Sequence, residues 1–226
     1  MIYYYHGGDR IKRYKKGIET RNSIIQASKT LFYTEGYDNT TVQKIADLAS
    51  VNLGLLSYYF KTKNNIIRII FGEFAESVEN AVCDVFNKES NLILFFMIKE
   101  RIIYDIIFND PKNSRFFKET LHKNIIDGIM EEYTLMNLQT VNQKHNLNLE
   151  EYSIKSFSAL QVGGALNVLK KFYNQDIDIP QDQLINILIG CIPKLFGIDH
   201  QTAMEYLEQS LEYQQKASFS DIKFLI

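Results

Sequence analysis

Apolar residues recur at helical spacing along almost the whole chain, and the alternation of half-buried strands is missing. From Thr20 onward, Ile24, Ile25, Ala27, Ser28, Leu31 and Phe32 share one helical face. That face ends at Gly36, the residue best able to take a left-handed C-cap conformation. Thr40 or Thr41 offers a hydroxyl N-cap for a short helix holding Val42, Ile45, Ala46 and Ala49. A polar break at residues 50–52 leads to a third segment, 53–59. Residues 61–64 interrupt again, with Thr62 as cap of a long helix carrying Ile66, Ile67, Ile70, Phe74 and Val78. Residues 92–108 are apolar on more than one face and end at Asn109-Asp110-Pro111, since proline restricts the residue before it and has no N–H to donate. Residues 112–145 read as one or two helices. Amphipathic segments follow at 150–173, 181–196 and 201–216, and the residues after them show no pattern. The expected fold is all-α, without internal repeats or a flexible linker.

The 226 residues are 46% hydrophobic and 23% charged, with three prolines, enough apolar content for a substantial core and too much for a disordered chain. The longest apolar run, 92–98, is far short of the roughly 20 residues that a membrane helix needs. No secretory signal opens the chain, so a cytoplasmic protein without a membrane partner is expected. Charge is unevenly distributed. Residues 1–68 hold eleven of the 25 Lys and Arg but five of the 27 acids, a balance of +6, while the remainder stands at −8. A basic head on an acidic body is what a protein presenting one end to a polyanion requires. The segment Arg10-Ile11-Lys12-Arg13-Tyr14-Lys15-Lys16, ahead of the first expected helix, reads either as an arm along DNA or as a solvated tail.

Three short helices with small residues at their crossing suggest a helix-turn-helix. Ala46 sits where the third helix must approach the second, and Ile45, Ala49, Val51 and Leu56 fill the core between them. The run Thr40-Thr41-Val42-Gln43-Lys44-Ile45-Ala46-Asp47-Leu48-Ala49-Ser50-Val51-Asn52-Leu53-Gly54, continuing Leu55-Leu56-Ser57-Tyr58-Tyr59-Phe60-Lys61-Thr62-Lys63, resembles the DNA-binding domain of TetR-family transcriptional regulators. Upstream, Ala27-Ser28, Leu31-Phe32 and Gly36-Tyr37 fit the same pattern.

This resemblance implies a DNA-binding domain over residues 1–66, with the helix-turn-helix at about 41–60, and a helical effector-binding and dimerisation domain over 67–226. Thr40 and Thr41 then resemble phosphate-binding threonines at a helix start. Gln43 occupies a position that reaches a base edge, and Leu53, Gly54, Leu55, Ser57 and Tyr58 lie on or near the exposed side of the recognition helix. Tyr59 and Lys63 match backbone contacts that set register. Two departures stand out: Ser50 holds the turn position usually given to glycine, and Ser57 replaces the usual tyrosine.

The resemblance also implies a ligand pocket in the middle helices and a four-helix dimer interface built from two helices of each subunit. Phe95, Phe96, Phe108, Phe117 and Phe157 are candidate apolar lining, with Tyr104, His122 and Gln161 as polar candidates. For pairing, Leu160, Gly163 and Gly164 are candidates in 150–173, and Leu184, Leu188, Ile192 and Leu195 in 181–196, where apolar residues cover more than one face. Cys83 and Cys191 read as small core residues.

No metal spacing joins the four histidines, and there is no phosphate loop, nucleophile elbow or CxxC. No cofactor and no enzymatic activity are expected. The reading is a homodimeric transcriptional regulator, a repressor that binds an inverted-repeat operator in double-stranded DNA and is released by a small hydrophobic effector. An effector-independent architectural or nucleoid-associated DNA-binding protein is the alternative.

Overall fold

The computed structural model describes residues 7–226, with side chains from Lys15 onward. Among these residues all regular structure is α-helix: α1 (Gly7–Asn39), α2 (Val42–Leu48), α3 (Leu53–Phe60), α4 (Lys63–Val85), α5 (Leu92–Asn109), α6 (Pro111–His122), α7 (Asp127–Lys144), α8 (Glu151–Tyr173), α9 (Gln181–Leu195) and α10 (His200–Lys216). The chain forms two compact units, one of residues up to Ile70 with Leu225–Ile226, the other of Phe71–Phe224. Helix α4 runs covalently from the first into the second.

In the first unit, Ile24, Ile25 and Phe32 of α1 pack in a core with Ile45 and Ala46 of α2, Leu56 and Phe60 of α3, and Ile66, Ile67 and Ile70 of α4, all buried. Ser28 is equally buried, its hydroxyl donating to the carbonyl of Ile24 at 2.7 Å. The helical path of α1 is broken at Gly36 (φ 85), the expected stop. Its start differs from expectation. Arg10–Lys16 lies inside α1 instead of preceding the first helix, and the side chains before Lys15 are outside the described residues.

The second unit is arranged around α5, which packs against α6, α7, α9 and α10. Leu92 through Ile98 are all buried, and a helix with so many neighbours is apolar on more than one face, as the sequence of 92–108 is. Asp110 caps α6, accepting from the backbone N–H of Lys112 and Asn113, with Pro111 in the first turn where its missing N–H costs nothing. The tail that showed no pattern closes an aromatic cluster. Phe224 is fully buried, its ring 4.9 Å from Phe71, 4.8 Å from Phe74 and 5.6 Å from Phe116.

Candidate nucleic-acid interface and helical body

Local chemistry fixes the α2–turn–α3 unit at three points. The Thr41 hydroxyl accepts from the N–H of Lys44 at the start of α2. At the end of α2, Ser50 is left-handed (φ 54), its N–H donating to Asp47 O, while Val51 N–H donates to Ala46 O at 2.9 Å. This pair of bonds is a Schellman closure, made here with serine where glycine is the usual solution. Asn52 then caps α3, its side-chain oxygen accepting from Leu55 N–H at 2.7 Å.

These three fixings leave one side of α3 open. Leu56 and Phe60 face the core, whereas Leu53, Gly54, Ser57 and Tyr58 are exposed, Tyr58 at 78% and Leu53 at 41%. Leu55 and Tyr59 lie at the border, half-buried. Tyr58 and Tyr59 meet edge to face at 5.3 Å. A Cβ on Gly17 of α1 would sit 3.3 Å from the Tyr59 hydroxyl, so the two helices approach closely there. The exposed positions present a methyl-rich tip, a bare backbone, a hydroxyl and a phenol, a set able to meet base edges and phosphate oxygens.

The remaining sequence candidates are placed differently. Thr40 is buried, its hydroxyl donating to Gly36 O at 2.6 Å. Gln43 donates to Asp47 one turn on. Lys63 donates to the carbonyls of Tyr37 (2.8 Å) and Thr40 (2.7 Å), and its ammonium lies 3.6 Å from the centre of the Tyr37 ring. It thereby ties α4 to the turn between α1 and α2. Burial, with Asp38 nearby, raises the Tyr37 phenol above its ordinary pKa. Sequence reasoning missed Asn52, although an Asn one residue before an apolar helical run is itself a capping signal.

In the helical body, Phe95, Phe96, Tyr104, Phe108 and Phe117 are buried, and Phe157 is half-buried. Phe96 and Gln161 meet in a recess whose wall also includes Glu100, Leu138, Ile192 and Phe196, a space of about 20 Å³, room for about one water molecule. His122 is exposed and bonded to Lys118 O and Asn174 Oδ1. Tyr104 stacks on Phe108, and burial raises its hydroxyl well above the ordinary range, with Glu100 and Tyr173 adding to it. Burial likewise pushes Tyr173 up to about 12, although its hydrogen bond to Ser114 opposes this.

The candidate pairing residues divide into two groups. Leu160 (70% exposed), Gly163 and Gly164 lie on the outer side of α8. Leu184, Leu188 and Ile192 face the chain's own core, and Leu195 is half-buried. The outward positions of α9 are instead Ile187 (50% exposed) and Cys191. Cys83 and Cys191, expected in the core, are both exposed: on α9 the 3.6-residue period puts Cys191 one turn after Ile187 on the outer stripe. Among the described residues no group of His, Cys, Asp and Glu could hold a metal, and no helix is long and apolar enough to cross a membrane.

Residues 24–69 match the model of the bacterial regulatory proteins, tetR family. YttP of Bacillus subtilis (strain 168), described as a probable HTH-type transcriptional regulator, is 28% identical over 124 residues, 52% of this chain. The chain spans 59% of the length of that relative. DhaS of Lactococcus lactis subsp. lactis (strain IL1403), an HTH-type transcriptional activator of the dhaKLM operon, is 24% identical over 174 residues, 73% of this chain and 90% of DhaS. The crystal structure of RolR in complex with resorcinol shares the fold, with a TM-score of 0.62 at 17% identity over 86% of this chain and 96% of RolR.

Proposed function

Because residues 24–69 match the model of the tetR family of bacterial regulatory proteins, we propose that this chain acts in the cytoplasm as a homodimeric, sequence-specific DNA-binding repressor of that family that a small hydrophobic effector releases from its operator. The observation that carries this reading is the open side of α3. Leu53, Gly54, Ser57 and Tyr58 stand clear of a helix that is capped at its start and anchored by Leu56 and Phe60. Reading bases requires side chains that are free to touch DNA on a helix that is not free to move. The relatives and the fold belong to regulators, not to enzymes.

One such unit makes few phosphate contacts, and two-fold pairing supplies a second half-site. The exposed stripe of Leu160, Gly163 and Gly164 on α8 with Ile187 on α9 is the surface for that pairing. In the mechanism, an effector held in the body favours a conformation in which two recognition helices no longer match half-sites one DNA turn apart. Helix α4 carries the change because it belongs covalently to both units. The effector acts only through its differential affinity for the two states, about 1.4 kcal/mol for each tenfold change in operator affinity.

Selection of random duplex DNA on the purified protein tests the reading. An enriched inverted repeat is expected, lost with Tyr58→Ala while thermal stability is retained. Tyr58 is the suitable control because it is exposed, whereas Lys63→Ala would remove a tie that holds the fold. Weak, salt-sensitive binding without enrichment overturns the sequence-specific reading in favour of an architectural one.

A further inference from the structure

The recess in the body has one ionisable residue in its wall, Glu100 of α5. The neighbouring cation forms no ion pair with it. Lys99 lies about 100° round the helix, its Nζ 3.0 Å from Glu79 and 4.9 and 4.5 Å from the ring centres of Phe96 and Tyr133. Glu79 also faces Lys88 at 3.8 Å, and among the described residues no hydrogen bond or ion pair reaches the Glu100 carboxyl. The Tyr133 hydroxyl of α7 is buried and lacks a hydrogen-bond partner. Burial raises Glu100 above the usual carboxylate range, Lys99 opposing this, and Glu100 helps to raise both Tyr104 and Tyr133. A recessed carboxylate with no hydrogen bond or ion pair of its own is a place where a positive charge is favoured.

The rest of the wall narrows the choice. Thr134 and Gln161 supply further side-chain oxygens, while Phe96 and Phe196 supply ring surface. The space is water-sized, which admits an –NH₃⁺ group and excludes a trimethylated one. We propose that this recess receives the ammonium head of a primary amine whose apolar part lies against Phe96 and Phe196. This deepens the reading of the body as an effector domain and rests on it. The three N–H donors of such a head meet acceptors that the fold leaves without protein partners, Glu100 first.

The test is calorimetric titration of the full chain with benzylamine, benzyl alcohol, benzoate and benzyltrimethylammonium. Benzylamine is expected to bind and the other three to bind at least about tenfold more weakly, the scale of one charge-assisted hydrogen bond. Glu100→Gln should lower benzylamine affinity by a similar factor, and Gln161→Leu, which leaves the charge in place, severalfold. Equal binding of benzyl alcohol, undiminished binding by both variants, or no binding of benzylamine overturns the proposal. Selection of operator DNA on the same protein separates the two readings. An operator with no benzylamine binding removes the amine site and leaves the regulator. Benzylamine binding that depends on Glu100, with no operator selected, leaves the amine site and removes the regulator.

Discussion

Ser50 holds a left-handed backbone that glycine would adopt without steric cost, because a Cβ there crowds the following carbonyl. Ser50→Gly is therefore expected to stabilise the first unit by at most about 1 kcal/mol, read as a higher urea midpoint with an unchanged slope. Ser50→Val, branched at Cβ, should move the midpoint the other way. Glu100 makes a second prediction at this scale. Its folded pKa is raised, chiefly by burial, so the folded state holds its proton over a range in which the unfolded chain has lost it. Stability from this group is full below the ordinary carboxylate pKa and is lost as pH rises through the folded value. Glu100→Gln should remove that decline, and the difference in melting temperature between variant and wild type should grow as pH rises above the ordinary carboxylate range.

Among the elements, α3 depends on its cap. Asn52→Ala removes the acceptor for Leu55 N–H and is expected to cost about 1 kcal/mol and to weaken operator binding. Asn52→Asp restores the cap and the melting temperature but not the DNA affinity, because the added charge faces phosphates. A variant that regained both would show that the side chain at 52 acts on DNA only through the helix. Helix starts were legible where a threonine stands at the break: Thr41 caps α2 and Thr62 accepts from Asn65 N–H in the first turn of α4, whereas the caps Asp110 of α6 and Asp199 of α10 went unread. Helix ends were less so. The left-handed closures at Asn124 and Asn146 use the residue that tolerates this conformation best after glycine, whereas Ser50 and Gln175 carry no such local signal. Periodicity identified α9 as a helix but not its orientation. Leu184, Leu188 and Ile192 proved to be its inner stripe and Ile187 with Cys191 its outer one, a distinction that needs the neighbouring α5 and α10. The roles expected of Thr40 and Lys63 met the same limit, since motif position places a side chain near the DNA-facing side without saying that Tyr37 and Gly36 already hold it.

For the molecule as a whole, the proposed dimer makes a sharp prediction. Leu160→Arg combined with Ile187→Glu places charge on the outer faces of α8 and α9, where the fold of the single chain needs neither side chain. The variant should stay helical with an unchanged melting onset at high dilution, sediment as a monomer, and lose two-half-site DNA binding. A dimer surviving both changes would move the interface elsewhere. The basic head and the acidic remainder were visible in the sequence as composition, while the pairing of Glu100 with an aromatic recess was not, since α5, α7, α8 and α9 meet there from distant parts of the chain. The exposure of Cys83 and Cys191, in a chain without tryptophan, has an experimental consequence. The thiols are natural attachment points for paramagnetic labels, and no tryptophan emission competes with an optical one. With Cys191→Ser, a single label at Cys83 on α4 in each chain would report the distance between two copies directly, and its change on adding effector would give the amplitude of the motion in ångströms.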